Sequence, residues 1–447
     1  MRHLLNSDFF KWFYPGMHIK RWLALMIIGV AIMTFGLAYI LREAYTSGFT
    51  FPGFVYYLTL QFIPRYIRGV AFMISAGALI LYAVWKLNNS IVSAVMPRRN
   101  GNESIVNMIY TQRALRRGPK IVAIGGGTGL ATLLRGLKTY TTNLTAIVTV
   151  ADDGGSSGRL RRELSVPPPG DVRNCIAALA DAEPLMTSLF QYRFSDGSGL
   201  AGHSFGNLFI VAMSGVVGNF EDAIRQTSRV LAVRGQIIPS TLANVTLCAK
   251  TDDAQTITGE SSISATKEKG RIKEVFLLPE DSPAHPEAVR AILDADMVIL
   301  GPGSLYTSVL PNLLVKGIRR AFAASPAIKA YVCNVATQPG ETDGFTLAQH
   351  VDAIEEHIGG HLLHWVVVNS NLSGTLPNAD LSQPVTVDSL MENGIRLIKA
   401  DVVSQSNSYH HDSRKLAQTL MRIYYDRNQP QTVVSAAAKN LVGALEE

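Results

Sequence analysis

The stretch KIVAIGGGTGLATLLRGL, Lys120 to Leu137, decides how the rest of the chain is read. A short apolar run reaches Gly125, Gly126 and Gly127, then Thr128 and Gly129, and leucines at helical spacing follow. That pattern is a strand, a glycine turn and a helix start. Glycines at such a turn let the backbone approach an anion closely, and the helix N-terminus supplies free N–H groups and a partial positive charge. The same grammar continues in TAIVTVADDGGSSGRL, Thr145 to Leu160, with carboxylates added. Asp152 and Asp153 fall at the carboxyl end of the second strand, followed by Gly154, Gly155, Ser156, Ser157 and, after Gly158, Arg159. Ligands of open α/β sheets bind at that edge, so the two loops are expected to form one site. The glycines would hold phosphates, Arg159 would act as a counter-charge, and Asp152 and Asp153 would hold a magnesium ion or sugar hydroxyls. No third carboxylate lies close by in sequence to complete a metal cage, which favours the hydroxyls.

Neither loop names its nucleotide. The dinucleotide fingerprint asks for a glycine where Leu130 stands, and the P-loop asks for a Gly-Lys-Ser/Thr ending. Three further loops share the pattern. VPPPGDVRNCIAAL places Asp171 as the cap of a helix expected from Val172, with Arg173 and Asn174 in its first turn near a bound anion. MVILGPGSLYTSVLPNLL supplies Gly301, Gly303, Ser304, Tyr306 and Thr307, the tyrosine either stacking on a base or packing on a helix. GLAGHSFGNLFI carries His203, a base or a structural histidine, and Asn207, but no spacing of a catalytic triad.

From Lys120 onward short β runs alternate with helical segments, which predicts a mainly parallel sheet with helices on both faces. LCAKTDDAQTITGESSI and KGRIKEVFLL break the alternation and read as a β-hairpin excursion. Ahead of Lys120 the chain is different. WLALMIIGVAIMTFGLAYIL (Trp22 to Leu41) is uncharged and long enough for a hydrocarbon layer of ~30 Å. GVAFMISAGALILYAVW (Gly69 to Trp85), near the lower length limit and extendable towards Val95 around Lys86, is a second span or a buried core helix. A signal peptide would have a shorter apolar core and a small-residue cleavage site, absent before Arg42. The two runs are expected to form a transmembrane hairpin, and the cations outside it place both termini and the main domain in the cytoplasm, on a multi-pass cell-membrane protein. The expected divisions are residues 1–21, a cytoplasmic segment; 22–95, the hairpin; 96–119, a basic linker; 120–425, the nucleotide-binding domain; and 426–447, a tail.

The net charge of +6 and a pI near 9.1 raise the question of nucleic acid. Many of the cations, among them Lys20, Arg21, Arg98, Arg99, Arg116 and Arg117, flank the apolar runs, so they report topology and no nucleic-acid partner is expected. A mean hydropathy of +0.16 agrees with membrane segments. Cys175, Cys248 and Cys333 lack metal-ligand spacing and read as free thiols in a reducing compartment. The chain is expected to be a homo-oligomer.

Taken together, IGGGTGL, IVTVADDGGSSGRLR, PPPGDVRNCIAAL, GHSFGNL, ILGPGSLYTSVLPNLL and CNVATQPGET resemble the bacterial gluconeogenesis factor (YvcK) family, in order, over about Lys120 to Tyr425. YHHDSRKLAQTL resembles that family's closing helix. The family is related to the 2-phospho-L-lactate transferases (CofD). The resemblance implies a Rossmann-like fold that binds nucleotide sugars such as UDP-N-acetylglucosamine and bears on cell shape, envelope synthesis and growth on gluconeogenic carbon. The alternative it implies is a magnesium-dependent transferase of phospholactyl type acting on a nucleotide diphosphate, with Asp152 and Asp153 where the transferases place acidic residues. An oxidoreductase using nicotinamide is disfavoured by the missing third glycine of the fingerprint.

Overall fold

A computed structural model describes residues 19–47, 52–95 except 59 and 61, and 113–427 apart from 182–183, 197–198, 266–269, 373–381, 388–393 and 406. Most of the expected N-terminal segment and basic linker, and nearly all of the C-terminal tail, lie outside these residues. The chain divides into two units, Met1–Ala114 and Leu115–Glu447.

The first unit holds helices α1 (Ile19–Thr46), α2 (Gly53–Leu58) and α3 (Arg65–Val95). The two long ones coincide with the apolar runs. Side chains within both fall outside the described set, and among the described residues no helix is long and apolar enough to cross a membrane. The expected transmembrane hairpin is not supported.

The second unit is built on seven strands. In chain order its elements are β1 (Ile121–Gly125), α4 (Gly127–Leu137), β2 (Leu144–Val148), α5 (Gly155–Leu164), α6 (Gly170–Leu179), α7 (Pro184–Gln191), α8 (Phe205–Val217), α9 (Phe220–Val230) and β3 (Gln236–Pro239). Next come β4 (Thr246–Thr251), β5 (Thr256–Thr258), α10 (Glu260–Ala265), β6 (Ile272–Leu278), α11 (Pro286–Leu293) and β7 (Met297–Leu300). A π-helical turn (Leu305–Val309) runs into α12 (Leu310–Leu314), then α13 (Lys316–Ala324), β8 (Ile328–Val332), α14 (Leu347–Ile358), β9 (Trp365–Asn369), β10 (Arg396–Ala400) and α15 (Ser413–Arg427).

The main sheet has the order β10-β9-β8-β7-β1-β2-β3, and every described pairing in it is parallel. Its strands alternate between two cores. Ile121 and Ala123 join α4, α6, α9 and α15 on one face, whereas Val122 and Ile124 join α11, α13, α14 and the small sheet on the other. Burial on both sides explains why β1 and β7 read as unbroken apolar runs. The hairpin excursion is an antiparallel sheet, β5-β4-β6.

Strand order decides where a ligand can sit. From β1 the chain builds outward through β2 and β3, then returns to the other side of β1 and builds outward again from β7 to β10. The direction reverses between β1 and β7, and loops leaving the carboxyl ends of these two strands diverge to opposite faces, opening a crevice. The mainly parallel Rossmann-like sheet with helices on both faces is as expected.

Candidate functional site

The crevice is a cleft of about 540 Å³. Its floor comes from the loops after β1 and β7. Gly126, Gly127, Thr128 and Gly129 line it from one side, and Pro302, Gly303, Ser304, Thr307 and Ser308 from the other. The loops touch closely: a Cβ on Gly129 would come within 2.5 Å of the Pro302 carbonyl oxygen. Gly127 has φ +65°, a left-handed conformation that glycine adopts without strain, which turns the strand into α4. Helix α4 has no side-chain cap, so the first-turn N–H groups of Thr128 and Gly129 have no partner within the helix.

Carboxylates surround this turn. Asp171 does not cap its helix; α6 begins at Gly170 with Pro169 in the cap position and no side-chain cap. The Asp171 carboxylate instead accepts the Gly127 N–H, and burial together with the Asp152 charge pushes its pKa up to about 7. Asp152 accepts the Gly154 N–H at 2.9 Å and a bond from Ser157, yet burial still holds it above the usual carboxylate range. Glu260 enters from α10 and is pushed up to about 8 by burial and by Asp152, Asp171 and other carboxylates around it. Asp152, Asp171 and Glu260 all line the cleft. Two distant segments thus bring Asp171 and Glu260 to the same cleft as Asp152. Perturbed acids gathered in a cleft make it the candidate functional site.

Asp153 turns elsewhere. Its Oδ1 accepts the Ser261 N–H at 2.8 Å at the start of α10, tying the small sheet's helix to the main sheet. Ser156, Ser157 and Gly158 lie inside α5, which starts at Gly155 after the Gly154 cap, and so do not form a loop nest. Ser156 Oγ sits 2.9 Å from His203 Nδ1 and accepts from Asn207 Nδ2 at 3.0 Å, with all three residues buried. This is a polar joint between α5 and α8, outside the cleft. Arg159 donates to the Ala201 carbonyl, and Arg173 donates to Asn174 Oδ1. Of these latter residues, only Asn174 lines the cleft. Gly125 and Gly301 are buried at the ends of β1 and β7, behind the lining residues.

The third loop is held by its own protein. Glu341, 7% exposed, accepts from Ser264 Oγ at 2.9 Å and Thr307 Oγ1 at 3.1 Å, and it takes the N–H groups of Tyr306 and Thr307. That carboxylate occupies the anion position at the π-helical turn. Tyr306 is buried, edge-on to Phe345 and His357, which is the packing alternative. Asn334 clamps Gly303 from both sides, donating to its carbonyl and accepting its N–H, and Gln338 donates to Ser304 Oγ at 2.7 Å.

Sequence reasoning did not assign Glu260, Asn334, Thr337, Gln338, Ser382, Tyr409, His410 and His411, all of which line the cleft. CNVATQPGET and YHHDSRKLAQTL, quoted above for the family resemblance, contain most of them. His411 is buried and its pKa falls to about 4, so it is neutral, with Nε2 3.2 Å from the Cys333 carbonyl oxygen. Besides the acids, the cleft is thus lined by amides, hydroxyls and the imidazoles of His410 and His411, the latter neutral. Among the described residues no group of three histidine, cysteine or acidic side chains is close enough to hold a metal alone.

Comparison with known proteins agrees with this architecture. The family model described as 2-phospho-L-lactate transferase CofD matches residues 121–403. A putative gluconeogenesis factor from Nostoc is 46% identical over 94% of both chains, which requires the likeness to extend into the first unit. The gluconeogenesis factor of Bacillus subtilis is 47% identical and covers 68% of this chain and 97% of its own length. A crystal structure of a Bacillus halodurans protein, 45% identical, superposes with a TM-score of 0.66 over 68% of this chain and all of its own. The chain belongs to the gluconeogenesis factor (YvcK) family and carries its CofD-like domain.

Proposed function

We propose that the cleft binds a nucleotide sugar of the UDP-N-acetylglucosamine kind and that the protein is a regulatory factor in envelope synthesis, cell shape and gluconeogenic growth. The observation carrying this reading is the uncapped turn at Gly126–Gly129 facing a cleft of about 540 Å³ at the β1/β7 reversal. Clefts of this size suit sugar-nucleotide-sized ligands. The diphosphate would lie on the N–H groups of Thr128 and Gly129. Asp152, Asp171 and Glu260, protonated or charged, would accept hydroxyls, and the amides would read uncharged edges.

The second reading is a magnesium-dependent transferase acting on a nucleotide diphosphate, and the raised acids favour it. Magnesium is usually held by one or two carboxylates plus substrate phosphates, so the lack of a three-ligand cage among the described residues does not oppose it. Asp152 and Asp171, with Glu260 beside them, are the residues that would hold the ion. When bound it would neutralise phosphate charge next to these acids.

Thermal shift with UDP-N-acetylglucosamine, UDP, GDP and NADP, with magnesium or chelator, tests the reading. A ligand at ~100 times its Kd stabilises the fold by ~2.7 kcal/mol. The sugar nucleotide is expected to stabilise most and to remain intact. Stabilisation by NADP alone refutes the reading, and phospholactyl transfer from a guanylyl donor establishes the second.

We further propose that the first unit anchors the domain at the inner face of the cell membrane. The support is the apolar surface of α1 and α3, which carry no charge from Trp22 to Leu41 and from Gly69 to Trp85. Their described large apolar side chains, including Ile32, Met33, Ile40, Met73, Ile74 and Leu79, face outward.

A further inference from the structure

Helices α7 and α8 pack on each other and over α6, as an outer layer of the domain. Residues 184–192 (PLMTSLFQY) and 205–217 (FGNLFIVAMSGVV) contain no charged residue. A surface helix normally turns a charged face to water. Here only Phe190 and Ile210 among the large apolar residues are fully buried, with Phe190 edge-on to Phe209 at 5.9 Å. Leu185 is 80% exposed and Val216 81%, and Met186, Leu189 and Tyr192 are 40–51% exposed. Ala212 and Gly215 are exposed on the same helix as Val216, small enough to admit a second helix closely.

We propose that this face is where two copies of the chain meet. A two-fold contact lays one patch on itself, and an uncharged patch then buries no charge and opposes no like charge. A charged peptide or an anionic headgroup layer would find no counter-charge on either helix, and Arg193, just beyond α7, donates to the Gly202 carbonyl. The area also fits. A standard interface buries ~800 Å² per partner, a little over half of it apolar. Five large side chains at these exposures supply roughly 300 Å² per copy, at ~60–120 Å² for each fully buried aliphatic side chain. With the flanking small residues, that is most of the apolar core such a contact needs.

The three native cysteines are buried, so an introduced surface thiol can be cross-linked selectively. The full chain in lipid nanodiscs, carrying Leu189→Cys, is treated with a short bis-maleimide. The expected result is a majority of cross-linked dimer, lost at least tenfold when Val216→Arg is added, with ligand-induced thermal shift unchanged. Leu293→Cys, 45% exposed on α11 at the opposite face of the sheet, is expected to remain monomeric under the same treatment. Equal cross-linking with and without Val216→Arg overturns the proposal. So does the absence of a dimer with Leu189→Cys, including the case where added vesicles protect that thiol from alkylation, which would make a bilayer the occupant.

Discussion

Replacing Asp171 with asparagine should flatten the pH dependence of nucleotide binding. The carboxylate already accepts the Gly127 N–H and sits at about 7 because of burial and the Asp152 charge. A diphosphate placed on the same turn would meet it at short range, and at ~5 Å one like-charge pair costs about 3 kcal/mol with an effective dielectric of ~20. Ligand binding therefore selects the protonated acid. If only that form binds, the apparent Kd scales as the inverse of the protonated fraction and weakens about tenfold from pH 6 to pH 8, about 1.4 kcal/mol. The pyrophosphate of a sugar nucleotide has no proton to lose in this window, so the dependence belongs to the protein. Glu260, pushed up to about 8, adds to the slope. Calorimetric titration of UDP-N-acetylglucosamine in chelator at pH 6, 7 and 8 reads the effect. Asp171→Asn should lessen the slope, and Asp171→Asn with Glu260→Gln should abolish it. Wild-type affinity that is flat or rises with pH refutes the reasoning.

The same acids govern stability. Their folded pKa values lie above the unfolded ones, so their contribution is fully present below pH ~4 and is lost as pH rises through about 7 for Asp171 and about 8 for Glu260. Asp171→Asn should raise stability by up to about 4 kcal/mol at pH 8, at ~1.4 kcal/mol for each pH unit of the shift, and leave it unchanged near pH 4, measured by urea unfolding. Gly127→Val should abolish nucleotide binding yet fold: its φ of +65° costs ~1–2 kcal/mol, but the only neighbour of an added Cβ within 4 Å is Ser308 Oγ at 3.8 Å. Gly129→Val should lose both binding and stability, because its Cβ strikes the Pro302 carbonyl; circular dichroism melts separate the two glycines. Glu341→Ala strips the acceptor from two hydroxyls and two N–H groups and should cost about 2–4 kcal/mol in the same unfolding assay.

What the sequence revealed follows from burial. β1, β2, β7, β8 and β9 are apolar over nearly their whole length because both faces of the sheet are covered, and that density needs no context to be recognised. β3 is four residues ending in Pro239, and β10 is a half-exposed edge strand, so neither carries the signal. α5 was hidden because Gly155, Ser156, Ser157 and Gly158 are poor helix formers whose helix is set by tertiary contacts, including the Ser156–His203–Asn207 joint. The glycine turn was legible because its chemistry is local. Asp152 and Asp153 read as a pair, but adjacent side chains diverge, one into the cleft and the other to Ser261. Their true companions, Asp171 and Glu260, come from separate segments, and no local spacing could have joined them.

The most direct test is a crystal structure of the protein with UDP-N-acetylglucosamine. The account predicts the diphosphate on the N–H groups of Thr128 and Gly129, with the sugar nucleotide lying along Asp152, Asp171 and Asn334. A ligand bound elsewhere, for instance in the groove between α9 and β3 lined by Arg225 and His285, would contradict it.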